Sequence, residues 1–461
     1  MKFSILKEEI TPHIPVLQGG FSGRNHKSLG VHDSPYLSVV IIKSNKTVVI
    51  IALDLLYGDR SFASGIKKAI KKKFGFEKED ILINYSHTHS VVGVTGEDPS
   101  LRPARLHSIN ADKVLWDLDV NEIDFTEDIE YFKLIRNKII NMIDKGLQNL
   151  IEGQAFIYKG FSRFGVSRRY PHEKRVLWKP YFNDEAIDTD LFLIKFIDKK
   201  NILRGLIYNY ACHPTTLGSD NYLISADFPG VVNKYLERKN PGMKAVFLQG
   251  CGADIKPYIT AKDGSFKSCD FDELEIAGKV LFNEIQKLIE NDDERKNQRE
   301  KEFQWRKIEF DIKTNSIEVK LHTNPWDASK WEAILNSQGE PEYVKDSARR
   351  ILMGLKENKS KKYLSYQIAL LRLDDKTSIL ALECEVVSDI GKSIKRALLD
   401  EHVIALGYCN SSVCYIPTRK ILNEGGYEAL SFIKARLAGP FLPEIEDIIV
   451  DKATSLLLEK N

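Results

Sequence analysis

The stretch from Ile81 to Ser90 constrains the fold more than any other part of the chain, because an apolar element ends there in two histidines. The run Ile81-Leu82-Ile83 predicts a short buried strand, and side chains two positions apart on a strand point the same way. His87 and His89 are therefore expected side by side where the strand ends. Neutral imidazole binds zinc, iron or copper, so the pair predicts part of a transition-metal site. The alternative is a hydrogen-bonded pair without metal.

The elements around this stretch predict the fold class. Residues 39–43 and 47–53 are β-branched runs that predict a hairpin, and residues 60–74 have the apolar spacing of a helix. With the strand that carries the histidines, this strand–helix–strand order predicts an α/β fold of mixed β-sheets flanked by helices. A later apolar run, residues 203–210, also ends close to a histidine, His213. A metal site at strand ends is therefore expected.

Composition excludes several classes of function. The chain has 461 residues, of which 43% are hydrophobic, and a formal net charge of +2, so no charge field favours nucleic acid or an anionic membrane. We expect no stable membrane anchor, since no apolar run approaches the roughly 20 residues of a spanning helix. The first nine residues lack the apolar core of a secretory signal. Free thiols and a cytoplasmic location are expected, because no CxxC pair or disulfide framework connects the six cysteines: Cys212, Cys251, Cys269, Cys384, Cys409 and Cys414.

Three further patterns bear on chemistry. Arg168 and Arg169 stand beside aromatic residues in a predicted loop, where they would clamp an anion or form a solvated face. Glu383 and Glu385 are expected to face one way at the end of a strand. Cys251, with His213 as base, is a conceivable nucleophile, although a single Gly-Cys-Gly lacks the spacing of a nucleophile elbow.

The remaining stretches predict domain organisation. Residues 98–125 are polar and irregular, and residues 291–301 form a charge-rich connector. A mostly helical, highly charged stretch at about 323–360 is predicted to be an insertion or cap. No internal repeat is present, and residues 1–461 are expected to form a single catalytic domain.

Six sequence blocks follow one another along the chain: Ser86-His87-Thr88-His89-Ser90, Tyr210 to Thr215, Ile224-Ser225-Ala226-Asp227, Gln249 to Pro257, Cys384-Glu385 with Gly391, and Gly407 to Asn410 with Tyr415 and Tyr427-Glu428. Taken together and in order, they resemble the catalytic domain of the neutral (non-lysosomal) ceramidases, zinc-dependent amidases that cleave the amide of N-acyl sphingoid bases. Agreement of several blocks in order is far more specific than any one of them. Lys256 stands where the family has a serine, so no serine-centred role is expected here, and no C-terminal immunoglobulin-like domain is expected.

The resemblance implies a zinc site and an amidase mechanism. The implied zinc ligands are His87, His213, Glu385 and Tyr415. The implied catalytic residues are His89, which would move a proton to the departing amine, and Arg168 and Tyr427, which would lie at the substrate carbonyl. The expected partner is a small N-acyl substrate, either ceramide or another N-acyl compound. Two alternatives stay open: a metal-dependent hydrolase of an ester, and a metal-binding protein without turnover.

Overall fold

Two β-sheets stack face to face, and helices cover the outer face of each. The computed structural model describes residues 1–21, 23–96, 126–294 and 305–459. Its strands are β1 Lys2–Glu9, β2 Gly30–Val31, β3 Tyr36–Lys43, β4 Thr47–Leu53, β5 Tyr57–Gly58, β6 Ile81–Tyr85, β7 Gly93–Val94, β8 Ile151–Phe161, β9 Gly165–His172, β10 Arg175–Tyr181, β11 Asp190–Asp198, β12 Leu203–Tyr210, β13 Leu223–Ile224, β14 Lys244–Gln249, β15 Ile255–Pro257, β16 Ala261–Lys262, β17 Ser265–Phe266, β18 Arg306–Lys307, β19 Lys313–His322, β20 Tyr363–Asp374, β21 Thr377–Leu382, β22 Glu385–Val386, β23 His402–Leu406 and β24 Tyr415–Ile416. Its α-helices are α1 Arg60–Phe74, α2 Thr126–Gln148, α3 Asp227–Lys239, α4 Phe271–Glu294, α5 Ala328–Asn336, α6 Glu342–Lys356, α7 Ser388–Arg396, α8 Arg419–Glu424 and α9 Ile445–Leu458.

Both sheets are mixed. The larger has the order β14-β12-β11-β8-β1-β3-β4-β6, with β18 beside β8, and the smaller has the order β19-β20-β21-β23. Most neighbours are antiparallel, but β4 with β6, β12 with β14 and β21 with β23 are parallel. The predicted α/β fold of mixed sheets flanked by helices is confirmed.

Strand β3 illustrates why the central strands are apolar on both faces. Val39 and Ile41 pack with α1 and α2, whereas Val40 and Ile42 pack against the smaller sheet, and all four are buried. A strand buried on both faces has a continuous rather than alternating apolar run. Full burial of one such side chain stabilises the fold by about 1.5–3 kcal/mol.

Helix α1 has clear sequence signals at both ends, which is why residues 60–74 were predictable. Its N-cap, Asp59, accepts a hydrogen bond from the Phe62 amide at 2.8 Å. It ends at Gly75, which has a φ of 77°, a left-handed conformation that glycine adopts without steric cost. The helix connects the parallel strands β4 and β6, and so determines where the histidine loop begins.

The three parallel strand pairs bring the carboxyl ends of their strands to one region. Asn84 joins three of these ends: its Oδ1 accepts from the Gln249 amide at 2.8 Å, and its Nδ2 donates to the Gly407 carbonyl at 2.8 Å. The segments that follow β6, β12, β14, β21 and β23 therefore converge, and every predicted metal ligand lies on or just beyond one of them.

The predicted segments outside the core have different outcomes. Residues 98–125, predicted to be polar and irregular, lie outside the described residues. Helix α4 continues to Glu294, so the predicted connector begins within a helix, and its residues 295–301 also lie outside the described part. Helices α5 and α6 occupy the stretch at about 323–360, whose role as an insertion or cap stays a prediction. Within the described ranges, no helix has the length and apolar character needed to cross a bilayer.

Candidate metal centre and active site

His87 and His213 are held in the same way by backbone carbonyls. His87 Nδ1 lies 2.6 Å from the Leu56 carbonyl oxygen, and His213 Nδ1 lies 2.7 Å from the Gly252 carbonyl oxygen. A carbonyl only accepts, so each Nδ1 carries a proton, and each Nε2 is the ring nitrogen that faces the centre. This arrangement, in which one ring nitrogen is anchored and the other is left to bind, is typical of histidines that ligate a metal.

Glu385 lies between the two free ring nitrogens. Its Oε2 is 3.2 Å from His87 Nε2 and 3.4 Å from His213 Nε2. Burial raises the pKa of Glu385, but the neighbouring His87 and hydrogen bonds outweigh that effect and hold it well below its ordinary value. Burial lowers the pKa of His213 to about 4. The Glu385 carboxylate therefore lies beside a neutral His213 imidazole, the protonation state in which these two groups bind metals.

Tyr415 completes the group of predicted ligands. Its hydroxyl lies 3.4 Å from His213 Nε2, and the Tyr415 backbone pairs in parallel with Glu385 through β22 and β24. The structure thus brings together all four predicted ligands from distant parts of the chain: His87, His213, Glu385 and Tyr415.

His89 is the third imidazole of the centre. Its ring lies 5.0 Å from that of His87 and 5.6 Å from that of His213, and nitrogens of the three rings all lie within 4.8 Å of one another. Neither nitrogen of His89 has a hydrogen-bond partner among the described residues. Burial also holds its pKa well below the ordinary value. The geometry therefore allows two donor sets, one with Glu385 and Tyr415 and one with three imidazoles.

The side-chain directions at these strand ends come from strained backbone rather than from strand alternation. Strand β6 ends at Tyr85, and His87 has a φ of 66°; Cys384, just before Glu385, has a φ of 68°. Non-glycine residues in this left-handed region are uncommon and cluster at functional sites. The expectation that the two rings lie side by side is confirmed. Its reason is wrong, because His87 and His89 lie beyond the end of the strand and strand alternation does not set their directions.

The same reversal separates Glu383 from Glu385. Glu383 accepts a hydrogen bond from Arg60 Nη2 at 2.6 Å and another from the Gln367 amide at 2.9 Å, away from the histidines. The prediction that the two carboxylates face one way is wrong, because the positive φ of Cys384 turns the chain between them.

Arg168 and Arg169 lie on strand β9 and are buried, so neither the predicted loop nor a solvated face is present. They share one carboxylate: Arg168 Nε donates to Glu428 Oε1 at 2.8 Å, and Arg169 Nη1 donates to Glu428 Oε2. Burial opposes the charge of Arg168, but Tyr415 and Glu428 raise its pKa overall. Arg168 is therefore a permanent cation beside the centre.

Aromatic rings surround the guanidinium of Arg168. Its Cζ lies 4.3 Å from the ring centre of Trp178, 5.2 Å from that of Tyr415 and 5.8 Å from that of Tyr427. Trp178 is 49% exposed and Tyr427 is 38% exposed, whereas Tyr415 is buried. Tyr427, a predicted catalytic residue, is thus a partly exposed ring that packs on Trp178 and Tyr415 beside Arg168.

Cys251 does not act with His213 as a nucleophile. Its thiol lies 3.7 Å from the Ala405 carbonyl within a hydrophobic cluster, and burial raises its pKa well above the ordinary value. A thiol without thiolate character is a poor nucleophile. All six cysteines are free and buried, as the spacing predicted.

Several residues near the centre have no role in the sequence-based prediction. Tyr408 packs its ring 4.5 Å from that of His87, and Glu428 holds Arg168. Gln249 donates through Nε2 to the carbonyls of Ser86 and Cys212 at 3.2 and 2.7 Å, and so ties together the two histidine loops. All three residues lie within the resembling blocks, and Gln249 is also a polar residue that ends an apolar strand, which is a second signal that could have identified it.

No protein-family model matches the chain. The neutral ceramidase of Pseudomonas aeruginosa is 23% identical over 275 residues, which cover 57% of this chain and 38% of that protein. The neutral ceramidase of Drosophila pseudoobscura pseudoobscura is 21% identical over 293 residues, which cover 59% of this chain and 38% of that protein. The matched segment therefore spans less than half the length of these curated relatives.

Solved structures match over a larger part of the chain. The crystal structure of neutral ceramidase from Pseudomonas aeruginosa has a TM-score of 0.72 and 18% identity, covering 99% of this chain and 74% of that chain. A ceramidase complexed with C2 has a TM-score of 0.70 and 17% identity, covering 99% and 75%. The fold is thus shared although few residues are. In sequence and in fold, this chain is a divergent relative of the neutral ceramidases.

Proposed function

We propose that this protein is a zinc-dependent amidohydrolase that cleaves an N-acyl amide into a carboxylate and an amine. The observation that carries the proposal is the position of Glu385 Oε2, 3.2 and 3.4 Å from the free Nε2 atoms of His87 and His213. The similarity to proteins named neutral ceramidase supports the amide as the bond that is cleaved.

The donor set fits zinc. Imidazole nitrogens, a carboxylate and an oxygen ligand at strand ends are the ligands that catalytic zinc sites use, and the bonds at the Nδ1 atoms of His87 and His213 leave their Nε2 atoms facing the centre. His87, His213, Glu385 and Tyr415 would hold the ion. When bound, zinc would lower the pKa of a coordinated water and polarise the amide carbonyl.

His89 is proposed to move the proton. Its ring lies beside those of His87 and His213 but is not anchored by any carbonyl, and both of its nitrogens lack partners among the described residues. A neutral imidazole with a free lone pair accepts a proton from water and returns it to the departing amine. The absence of an anchoring bond favours this role over that of a ligand.

Arg168 and Tyr427 are proposed to hold the substrate carbonyl oxygen. Glu428 positions Arg168 through Nε at 2.8 Å, while Arg168 Nη2 has no hydrogen-bond partner in the described part of the chain. A guanidinium aimed at a developing negative charge in a buried site stabilises the transition state. Trp178 and Tyr427, half-exposed at the same side, would contact the rest of the substrate.

The proposed partner is a small N-acyl molecule, and the proposed location is the cytoplasm. The six free, buried cysteines support a reducing compartment. We propose neither a nucleic-acid partner nor a stable membrane anchor.

A substrate screen combined with metal analysis tests this function. The purified protein is assayed on long-chain ceramide, N-acyl amino acids, N-acyl ethanolamines and matched esters, with and without chelator and after zinc is restored. Chelator-sensitive release of fatty acid from an amide is the expected result. Turnover of esters alone would show the amidase assignment to be wrong, and stoichiometric zinc without any turnover would favour a metal-binding protein.

A further inference from the structure

Lys256 is a buried cation without a carboxylate partner. It lies on β15, opposite Val166 of β9, and only 8% of it is exposed. Its Nζ donates to Thr215 Oγ1 at 2.9 Å and to the Thr215 carbonyl at 3.3 Å, and it forms no ion pair within the described ranges. Both partners are neutral, and an ammonium has three protons to donate, so one donor is left over.

Lys256 is adjacent to the metal centre. The residue before it, Ile255, accepts a hydrogen bond at its carbonyl from the His213 amide at 3.1 Å, and Thr215 follows His213 by two positions. On the other side, Ile255 pairs with Ser167, the neighbour of Arg168. The amine is thus held between the histidine loop and the strand that carries Arg168.

The nearby carboxylates are engaged elsewhere. Asp227, which attracts Lys256 electrostatically, accepts backbone hydrogen bonds from Thr216, Leu217 and Phe228 at 3.2, 3.2 and 2.7 Å. Glu428 is engaged by the two arginines of β9. Burial and the charge of Arg168 lower the pKa of Lys256 to about 8, which leaves it mostly protonated at neutral pH.

A buried charge is costly unless it is paired, and this one lies close enough to His89 to lower the pKa of that ring. A row of aromatic rings leads from it to the exposed side: Lys256 Nζ lies 5.6 Å from the Phe266 ring, Phe266 lies 6.5 Å from Trp178, and Trp178 lies 5.7 Å from Tyr427. The row of rings offers an apolar surface, and the Lys256 amine offers one contact for an anion at the buried end of that row.

We propose that Lys256 binds a carboxylate of the substrate close to the scissile amide, so that the preferred substrates are N-acyl amino acids rather than neutral N-acyl amino alcohols. The inference rests on the proposed amidase function and names its substrate class. In an N-acyl amino acid the carboxylate is separated from the amide nitrogen by a single carbon. That group would supply the missing counter-charge, which a neutral diol or alcohol does not.

The test compares two substrates that differ in one end group, an anionic carboxylate in N-dodecanoylglycine and a neutral hydroxymethyl group in N-dodecanoylethanolamine. We expect the wild-type protein to favour the glycine conjugate in kcat/KM by roughly 10- to 100-fold, the range for a hydrogen bond to a charged group. Lys256→Met should bring the ratio close to one while retaining turnover of the ethanolamide, and Lys256→Arg should keep most of the preference. Lys267→Met, which removes an exposed lysine of the same region paired with Asp263, is the matched control and should leave the ratio unchanged.

A binding measurement separates this inference from the proposed function. Calorimetry with N-dodecanesulfonylglycine and N-dodecanesulfonylethanolamine, which amidases do not hydrolyse, should give tighter binding of the anionic compound that depends on Lys256. If that difference is found without turnover of any amide, the anion site stands and the amidase proposal fails. The amidase proposal stands and this inference is overturned in two cases. In the first, zinc-dependent turnover favours the ethanolamide; in the second, Lys256→Met lowers kcat/KM for both substrates by the same factor.

Discussion

Arg168 Nε donates to Glu428 Oε1 at 2.8 Å and joins two residues that are 260 positions apart. The bond leaves the far end of the guanidinium against Trp178, Tyr415 and Tyr427. A carboxylate that binds the Nε side of a buried arginine determines where the other donors of the guanidinium point. This geometry supports the proposed role of Arg168 in holding a substrate oxygen.

Arg168→Lys should keep the charge and lose the planar fork. We expect kcat to fall by about 10²–10³-fold, as when one oxyanion donor is removed, with zinc content unchanged. Arg169→Lys is the matched comparison, because Arg169 shares Glu428 but directs its other donors to Glu424 and the Gly425 carbonyl, and the loss of kcat should be much smaller. Equal losses in the two variants would contradict the oxyanion role of Arg168.

Metal content should distinguish the three clustered histidines. His87→Ala and His213→Ala should lose zinc, because their anchored rings present Nε2 to the centre. His89→Ala should keep zinc and lose about 10²–10⁴ in kcat, the range for a general acid–base group. Elemental analysis after dialysis measures the zinc, with His402→Ala as a control outside the centre. Loss of zinc in His89→Ala would instead favour the three-imidazole donor set.

Gln249→Leu should weaken metal binding although Gln249 is not a ligand. Its amide connects the Ser86 and Cys212 carbonyls, so its removal frees the two histidine loops. Outer-shell changes typically cost about 10–100-fold in metal affinity, which a chelator competition would measure. Asn209→Leu removes a buried amide that donates to the Leu248 carbonyl at 2.8 Å in the same sheet. That control should lower the free energy of unfolding by about 1–3 kcal/mol without changing metal affinity. Similar metal affinities in the two variants would argue against a role of Gln249 in holding the two histidine loops together.

Asp54→Asn should change how stability depends on pH. Burial raises the pKa of Asp54 to about 6, although the Tyr36 amide donates to it. The raised pKa means that Asp54 stabilises the fold below about pH 4, its ordinary range, and that this contribution, about 2–3 kcal/mol, is lost as the pH rises through about 6. The neutral amide should therefore make the variant more stable than the wild type at pH 7, and less dependent on pH between 4 and 6. Denaturant unfolding at several pH values measures this, and a less stable variant at pH 7 would refute it.

Asp198→Asn is the control of opposite sign. Backbone hydrogen bonds lower the pKa of Asp198, and the bond from the Ile202 amide has the largest effect. Its ionised form therefore stabilises the fold above its ordinary pKa, and the contribution is lost as the pH falls through the lowered value. The variant should be less stable than the wild type at pH 7.

Local sequence signals were sufficient to predict most secondary-structure elements and the side chains that could carry chemistry. Apolar runs predicted the strands, and Asp59 and Gly75 define helix α1 because caps act through bonds within a few residues. The histidine pair and the ordered blocks identified the residues that converge. These signals are local, so they survive without knowledge of the fold.

Tertiary structure decided the directions and partners of those residues. The left-handed backbone at His87 and Cys384 overrides strand alternation, since it is maintained by packing among distant segments rather than by local preference. The burial of Arg168 on Glu428 and of Lys256 on Thr215 likewise depends on contacts between strands far apart in the chain. Local periodicity carries no information about such contacts, which is why the sequence indicated which side chains form the centre and only the fold determined how each one faces it.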